Sequence, residues 1–301
     1  MSDYRAPTDD MLFVLEHIAG LPELANRKGY DHADLETVEG VLGEAARFME
    51  EQLAPLNQKG DQEGEVVENG QIFHPEGFAA AYARFVEAGW NGIALDESHG
   101  GGGMPWCVGL AVQEMMTASN MAFSLCPLLT QGAIDAISHH ASETLQEIYL
   151  PKMVSGEWSG TMNLTEPHAG SDVGALTTKA VPQEDGTWLV SGTKIFITYG
   201  EHELSENIIH LVLARTPDAP PGTKGISLFI VPKFLVNDDG SLGERNDLRV
   251  VSSEHKIGIH ASPTCVMSYG DESGAVGWMV GEENTGMGAM FTMMNLSLIH
   301  I

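Results

Sequence analysis

The chain is poor in cysteine, which limits the chemistry open to it. Its 301 residues include only Cys107, Cys126 and Cys265, which are odd in number and widely spaced. This spacing provides neither a disulfide framework nor the paired ligands of a structural metal site. We therefore predict a protein of a reducing compartment that holds no metal.

Basic residues and long apolar runs are also scarce. The 15 lysines and arginines stand against 42 acidic residues, which gives a formal net charge of −27. This charge repels nucleic acid and anionic membranes, so both are excluded as partners. The N-terminus lacks a cationic segment followed by an apolar core, and we find no apolar run long enough to span a bilayer. These features predict a cytoplasmic protein.

The first half of the chain has the periodicity of helices, from residue 9 to about 155. An apolar stripe at Phe78–Val86 follows Pro75 and stops at Gly89. A longer helix with apolar residues between 35 and 49 is predicted behind Asp31.

A further helix is predicted with Ser142 as its N-cap, a restart at Pro151 and an end at Gly156. The first half therefore predicts an N-terminal helical bundle over residues 31–157, after a short extension at residues 1–30.

After Trp158 the pattern changes to short runs of β-forming residues. Glu184-Asp185-Gly186 predicts a hairpin, and Pro220-Pro221-Gly222 predicts a loop. The predicted strands are Thr187–Thr198, Ile208–Ala214, Ile226–Val231, Leu248–Val251 and Thr264–Tyr269. The fold class is therefore α+β and multidomain, with a central β-barrel or β-sandwich domain over residues 158–282. Helical patterning returns over residues 283–301.

Two motifs carry the chemistry. The first is the run Thr-Glu-Pro-His-Ala-Gly-Ser-Asp from Thr165 to Asp172, and the second runs from Lys194 to Gly200. A flavin ring presents a polar edge of nitrogens and carbonyls, and hydride adds at one of those nitrogens, so its site needs fixed hydrogen-bond donors. The hydroxyls of Thr165 and Thr198 can supply such donors.

A glycine-serine turn lies inside the first motif. Phosphates need backbone N–H groups at close range, which a glycine without a Cβ permits, and a hydroxyl nearby favours negative charge. Gly170 and Ser171 meet both needs. The two motifs together predict a site for a flavin and its pyrophosphate.

Both motifs resemble the fingerprint of the acyl-CoA dehydrogenase family, a Thr-Glu-Pro-x-Ala-Gly-Ser-Asp run followed by a Trp/Phe-Ile-Thr strand. Such a long run is far more specific than a lone Gly-x-Gly-x-x-Gly. The segments His255–Cys265 and Val280–Gly288 are also similar to the family, so the resemblance covers nearly the whole chain. The Ala-Ser-Pro-Thr-Cys form resembles the subgroup that handles unusual acyl groups, including 3-methylmercaptopropionyl-CoA.

The resemblance implies FAD as the cofactor and α,β-dehydrogenation of an acyl-CoA thioester to the 2-enoyl-CoA. It also implies a homo-oligomer and an electron-transferring flavoprotein as electron acceptor. Ser171 would also reach the coenzyme A arm, and Phe196 stands where many members have Trp. The residues to which the resemblance assigns FAD contacts are Met162, Leu164, Thr165, Gly170, Ser171, Phe196, Ile197 and Thr198.

In the family a third, helical domain carries the catalytic glutamate. The resemblance implies that residues 283–301 are only the start of this domain, so that the C-terminal helical bundle is missing. We therefore predict that no residue here is the catalytic base and that the fragment alone is inactive. The extension from Tyr4 to Leu24 is similar to an extra N-terminal helix in some members.

Several polar residues and one glycine run are predicted to have structural roles, although their residue types would also suit catalysis or ligand binding. Glu166 precedes a proline in a rigid turn and is predicted to be structural, and Asp172 is predicted to be a turn or capping carboxylate. His168 occupies the variable position of the motif, where its imidazole could touch the acyl chain or coenzyme A. Gly100–Gly103 has no Lys-Ser/Thr after it, so it predicts a flexible interhelical loop and not a phosphate loop.

His139 and His140 have no partner at metal-ligand spacing and are predicted to lie on a solvated helix end. A cluster of four methionines could line an acyl pocket, but its helical spacing favours the core: Met287, Met290, Met293 and Met294. Two alternatives to a dehydrogenase remain open. One is an acyl-CoA oxidase or related flavoenzyme of the same fold, and the other is a non-catalytic, truncated flavin-binding protein.

Overall fold

The computed structural model describes the backbone of residues 3–237 and 239–300, and side chains as far as residue 295. The chain is mostly helical up to residue 155, with a β-hairpin of β1 (Val66–Glu68) and β2 (Gln71–Phe73). A π-helical turn, Met49–Leu53, joins the third and fourth helices. The helices in this part are α1 (Thr8–His17), α2 (Leu21–Ala25), α3 (Leu35–Phe48), α4 (Ala54–Glu63), α5 (Phe78–Glu87), α6 (Trp106–Ser119), α7 (Met121–His140) and α8 (Glu143–Ser155).

Two helix starts show how local capping sets the boundaries. The Ser142 hydroxyl accepts a 3.4 Å hydrogen bond from the N–H of Leu145, which confirms Ser142 as the N-cap of α8. The helix predicted behind Asp31 is α3, which begins at Leu35. The cap is Asp34, whose carboxylate accepts a 2.8 Å hydrogen bond from Thr37 N–H. Only the residue directly before the first helical turn can reach that N–H group.

Of the two predictions for the end of α8, one is confirmed and one is wrong. Gly156 terminates the helix with a φ of 88°, in the left-handed region that suits glycine. Pro151 lies inside α8, so the predicted restart at this residue was wrong. The helix stays continuous because packing of its buried face, including Tyr149 and Met153, holds it together despite the missing N–H group.

The helices pack around an aromatic cluster. The ring of Phe123 in α7 lies 5.7 Å from that of Phe85 and 6.1 Å from that of Tyr82, both in α5. The Tyr82 hydroxyl donates a 2.8 Å hydrogen bond to the carbonyl oxygen of Gly156. Burial of these large side chains stabilises this half of the fold.

One helix in the described part of the chain, α7, is long and apolar enough to cross a membrane by length and composition, contrary to our expectation. In the structure, 78% of its apolar stretch is buried inside the protein, because α7 packs against α6, α8 and the first strand of the β domain. This burial is typical of a core helix packed on several sides.

The β domain begins at Trp158. One large sheet has the strand order β10-β11-β5-β12-β7-β6-β3, with β4 paired to β5, and β8 and β9 form a separate hairpin. β3 runs parallel to β6, and the other pairs are antiparallel. The strands are β3 (Trp158–Asn163), β4 (Lys179–Pro182), β5 (Trp188–Thr198), β6 (Asn207–Ala214), β7 (Ser227–Pro232), β8 (Phe234–Val236), β9 (Leu242–Arg245), β10 (Leu248–Ser253), β11 (Thr264–Tyr269) and β12 (Ala275–Val280).

The fold class is confirmed, as are the predicted strands that correspond to β5, β6, β7, β10 and β11. The predicted hairpin at Glu184-Asp185-Gly186 joins β4 to β5. The strand β3 was not predicted, because its Ser, Gly, Thr and Asn residues resemble a polar loop. Burial between α7 and β6 outweighs that composition.

The large sheet folds back on itself, so that β11 faces β3. The Tyr269 hydroxyl in β11 donates a 2.7 Å hydrogen bond to Asn163 Oδ1 in β3, and it lies 2.9 Å from His210 Nδ1 in β6. Nearby, Thr161 Oγ1 in β3 donates to the carbonyl oxygen of Thr198 in β5 at 2.7 Å. These buried contacts bring the ends of β3 and β5 together.

The last described helix, α9 (Gly286–His300), follows β12 and packs against α7. Met290 and Met293 are buried in the core, and Met287 and Met294 pack against it, so the methionine cluster is core as predicted. His140 Nε2 lies 2.7 Å from Thr292 Oγ1. His139 is exposed at the end of α7 as predicted, whereas His140, the last residue of this helix, is half-buried because it contacts α9.

Candidate cofactor site

Residues from both sequence motifs line one cavity. It has a volume of about 170 Å³ and lies where the ends of β3 and β5 meet α7 and α9. Six of the eight predicted cofactor residues contribute to its wall, and Gly170 and Ser171 do not. The lining residues are Leu129, Met162, Leu164, Thr165, Phe196, Ile197, Thr198 and Met294.

A bulge in β5 shapes the mouth of this cavity. Cys265 of β11 pairs with Ile197, whereas Met267 pairs with Lys194, so β5 contains one residue more than β11 between the two pairs. Phe196 lies in the bulge with a φ of 59° and is 58% exposed. Bulges redirect side chains, and a bulky residue in the left-handed region is a feature of functional sites. The bulge here presents the Phe196 ring at the cavity.

Two hydroxyl groups at the cavity have no hydrogen-bond partner in the part of the protein that the structure describes. Within the described residues, neither Thr165 Oγ1 nor Thr198 Oγ1 forms a hydrogen bond, although both residues are held by their backbones. The carbonyl oxygen of Thr165 accepts a 2.8 Å hydrogen bond from Ile195 N–H, and that of Thr198 accepts from Thr161. Fixed backbones with free hydroxyls provide donors that need no rearrangement to meet a ligand.

Glu166 is saturated by partners inside the protein. Its carboxylate accepts hydrogen bonds from the backbone N–H and hydroxyl groups of Thr177 and Thr178, and Lys194 Nζ lies 2.9 Å away. Burial alone would raise the pKa of Glu166, but Lys194 and the threonine donors outweigh it and lower that pKa to about 2. Such a carboxylate is a poor base, which agrees with its predicted structural role.

The glycine-serine turn is exposed and lies beside the cavity wall. Glu166 and Ala169 exchange two backbone hydrogen bonds of 3.1 and 3.0 Å, and Gly170 and Ser171 follow them on the surface. A Cβ added at Gly170 would meet only Thr165 Cγ2, at 3.7 Å, so the space above this backbone is open. The phosphate-binding role of the turn stays a prediction.

The other polar residues of the first motif lie outside the cavity. Asp172 lies in a turn as predicted, but its carboxylate makes no cap hydrogen bond. The turn is closed by the Asp172 carbonyl oxygen, which accepts from Ala175 N–H at 3.1 Å, so of the two predicted roles, turn or cap, the structure shows the turn. The side chain of His168 is 53% exposed, with Nε2 3.6 Å from Glu166 Oε2.

The sequence alone missed four residues that build this site. Leu129 in α7 and Met294 in α9 line the cavity from elements distant in sequence. No local pattern marks Leu129, and the helical spacing of Met294 favoured a place in the core. Thr161 and Lys194 support the wall from behind. Lys194 could have been found, because a lysine in an apolar strand needs an acidic partner and Glu166 lies in the neighbouring motif.

The remaining polar candidates do not form a second site of this kind. The glycine loop is packed: Gly101 N–H donates to Asp96 O at 3.0 Å, and a Cβ at Gly101 would stand 2.2 Å from Leu95 O. These contacts argue against the predicted flexibility of the loop. A larger cavity of about 550 Å³ includes Asp135 and His139 but no residue of the two motifs. In the described ranges no three His, Cys, Asp or Glu side chains could hold a metal ion.

Two family models match this chain. Residues 36–157 match the N-terminal domain of acyl-CoA dehydrogenases, and residues 161–271 match their middle domain. Together the two matches cover most of the sequence. The chain belongs to the acyl-CoA dehydrogenase family. Its cavity residues between 162 and 198 all lie in the part that matches the middle domain.

Curated relatives of this family member are about twice as long. The 3-methylmercaptopropionyl-CoA dehydrogenase of Ruegeria pomeroyi is 51% identical over 97% of this chain and 49% of its own length. A butyryl-CoA dehydrogenase of Syntrophomonas wolfei is 40% identical over 97% of this chain and 50% of its own length. The chain therefore spans about half the length of the curated relatives it matches.

A solved structure shows the same fold. Caenorhabditis elegans ACDH-11 in complex with C11-CoA covers 99% of this chain and 50% of its own, with a TM-score of 0.78 and 19% sequence identity. At that identity the likeness concerns the fold alone. The fold it shares with this chain includes the helices and the mixed sheet described above.

Proposed function

We propose that the protein is an FAD-dependent acyl-CoA dehydrogenase and that residues 1–301 contribute the contacts to the flavin edge. The observation that supports this most strongly is the pair of free hydroxyl groups on Thr165 and Thr198, set in an otherwise apolar cavity. Membership of the family makes a flavin the ligand that fits such donors.

The donor set fits FAD. The free hydroxyls can donate to the polar edge of the ring, and the exposed ring of Phe196 offers an aromatic surface for packing against it. The open backbone at Gly170 and the hydroxyl of Ser171 suit the pyrophosphate. When bound, FAD supplies an acceptor for the hydride that leaves the β-carbon of an acyl-CoA.

The base that removes the α-proton is assigned elsewhere in the native protein. None of the described side chains that line the cavity is ionisable, and Glu166, the nearest motif carboxylate, is held by Lys194 and two threonines. Because the relatives are about twice as long, we place the base in the region that corresponds to their second half. The residues described here would bind the flavin and orient it.

For the substrate we propose a short acyl-CoA with sulfur in its chain, since the relative with 51% identity is a 3-methylmercaptopropionyl-CoA dehydrogenase. We further propose a cytoplasmic homo-oligomer that passes its electrons to an electron-transferring flavoprotein. The homo-oligomer and the electron acceptor rest on the resemblance to the family, and the cytoplasmic location rests on the three widely spaced cysteines, which favour a reducing compartment.

The test uses the native gene product, purified and loaded with FAD. Titration under anaerobic conditions with 3-methylmercaptopropionyl-CoA should bleach the flavin absorbance, and it should do so at lower concentration than butyryl-CoA. Persistence of the oxidised spectrum with every acyl-CoA tried would refute the proposed activity. Stronger bleaching by butyryl-CoA would refute only the choice of substrate.

A further inference from the structure

A buried ion pair lies directly behind the cavity wall. Lys194 Nζ is 2.9 Å from Glu166 Oε1, and the exposed fractions of the two side chains are 0% and 1%. Burying such a pair costs desolvation that the mutual attraction repays only in part. A pair of this kind adds little stability by itself, so its other contacts are the better guide to its role.

The ammonium group has a second contact that reaches the cavity. Lys194 Nζ donates a 3.0 Å hydrogen bond to the carbonyl oxygen of Leu164, and Leu164 lines the cavity. The same peptide group contains the N–H of Thr165. That N–H has no acceptor among the described residues.

A charged donor on a carbonyl oxygen polarises the whole peptide group. The N–H at the other end then becomes a stronger hydrogen-bond donor, because linked hydrogen bonds reinforce one another in a medium of low dielectric constant. Here the polarised group is the peptide between Leu164 and Thr165, at the wall where the flavin edge is proposed to lie.

The same contacts fix the geometry of that wall. Lys194 holds Leu164 and Glu166, and the neighbouring Ile195 N–H donates to the carbonyl oxygen of Thr165. Three successive residues after β3 are thus tied to two successive residues of β5. This arrangement sets the end of β3 against the bulge that presents Phe196.

We propose that Lys194 is a positioning residue for the flavin edge, which orients and strengthens the Thr165 N–H through the Leu164 carbonyl and thereby favours the reduced flavin over the oxidised one. The proposal rests on the proposed function, because it requires FAD in this cavity. It assigns to a buried side chain an effect on the flavin potential that packing alone would not produce.

The test compares Lys194→Met and Lys194→Gln with wild type, and uses Lys179→Met as a matched control because Lys179 is an exposed lysine in β4. The readouts are the Kd for FAD and the two-electron potential of the bound flavin. For Lys194→Met we expect about a tenfold weaker Kd for oxidised FAD and a further tenfold loss of preference for the reduced form. That loss lowers the potential by about 30 mV. Lys194→Gln keeps a donor and should lose less affinity, with a shift of the same sign.

The outcomes separate the two proposals. If wild type binds no FAD, the proposed function itself is refuted. If wild type binds FAD and both Lys194 variants keep the wild-type potential, the positioning role is refuted and the proposed function stands. If Lys194→Met does not fold, as judged by circular dichroism, Lys194→Gln decides by the same criteria. If neither variant folds, the pair serves stability and the positioning role is refuted.

Discussion

His74 and Glu203 connect the helical half of the molecule to the β domain through two hydrogen bonds. His74 N–H donates to Glu203 Oε1 at 2.9 Å, and His74 Nδ1 lies 2.9 Å from Glu203 Oε2. The imidazole is fully buried and stacks on Tyr199, whose hydroxyl donates to the carbonyl oxygen of Ala122 at 2.6 Å. The segment that follows Thr198 is therefore anchored on the helices, which holds the end of β5 at the cavity.

Removing this connection should destabilise the protein. Glu203→Ala leaves the His74 N–H and imidazole without their acceptor, and we expect a loss of about 1–2 kcal/mol in the free energy of unfolding. Urea denaturation followed by circular dichroism measures it. Glu206→Ala is the control, because Glu206 is exposed and its ion pair with Lys152 is long, at 3.9 Å. This variant should change the free energy of unfolding by about 0.5 kcal/mol or less. Equal stabilities of the two variants would contradict the account.

The buried carboxylate of Glu166 predicts a pH dependence. Its pKa is lowered from 4.5 to about 2 in the folded protein, so its contribution is present above pH 4.5 and is lost as the pH falls towards 2. Between pH 4.5 and pH 3 this group alone should remove about 1.5 kcal/mol of stability. Urea midpoints over this range should fall more steeply for wild type than for Glu166→Gln. Parallel slopes would show that Glu166 is not held in its ionised form.

Two helical glycines should respond in opposite ways to alanine. Gly43 in α3 is exposed with open space around it, so Gly43→Ala should stabilise the protein by about 0.5–1 kcal/mol. Gly60 in α4 is buried, and an added Cβ would stand 2.7 Å from Phe78 Cζ. Gly60→Ala should therefore destabilise by about 1–3 kcal/mol. Thermal unfolding of both variants and of wild type measures these changes. A Gly60→Ala variant more stable than wild type would show that Phe78 moves aside.

Much of the site follows from local sequence, and the remainder depends on distant contacts. The motif containing Thr165 and the strand ending at Thr198 predict donors at one ligand edge, and the structure brings both to one cavity. The contributions of Leu129 and Met294 depend on how α7 and α9 pack, which local periodicity does not determine. The strand β3 was missed because its burial comes from tertiary packing and not from its composition.

Phe196 should contribute to flavin binding and not to folding. Because this residue is 58% exposed, Phe196→Ala should change stability by about 0.5 kcal/mol or less. It should weaken FAD binding by about 1 kcal/mol, since an aromatic contact with the ring is lost. Phe196→Trp, which keeps an aromatic surface, should retain the affinity. Fluorescence titration with FAD measures all three proteins, and an unchanged Kd for Phe196→Ala would place the ring elsewhere.

The most direct test of the account is the Kd for FAD of wild type and of the double variant Thr165→Val/Thr198→Val. Both hydroxyls lack partners among the described residues, so the double variant should fold with wild-type stability. It should bind FAD about tenfold or more weakly, because two hydrogen bonds to the flavin edge are lost. Thr223→Val, at an exposed position, should bind FAD like wild type. A double variant that binds FAD as tightly as wild type, or a wild type that binds none, would contradict the central claim.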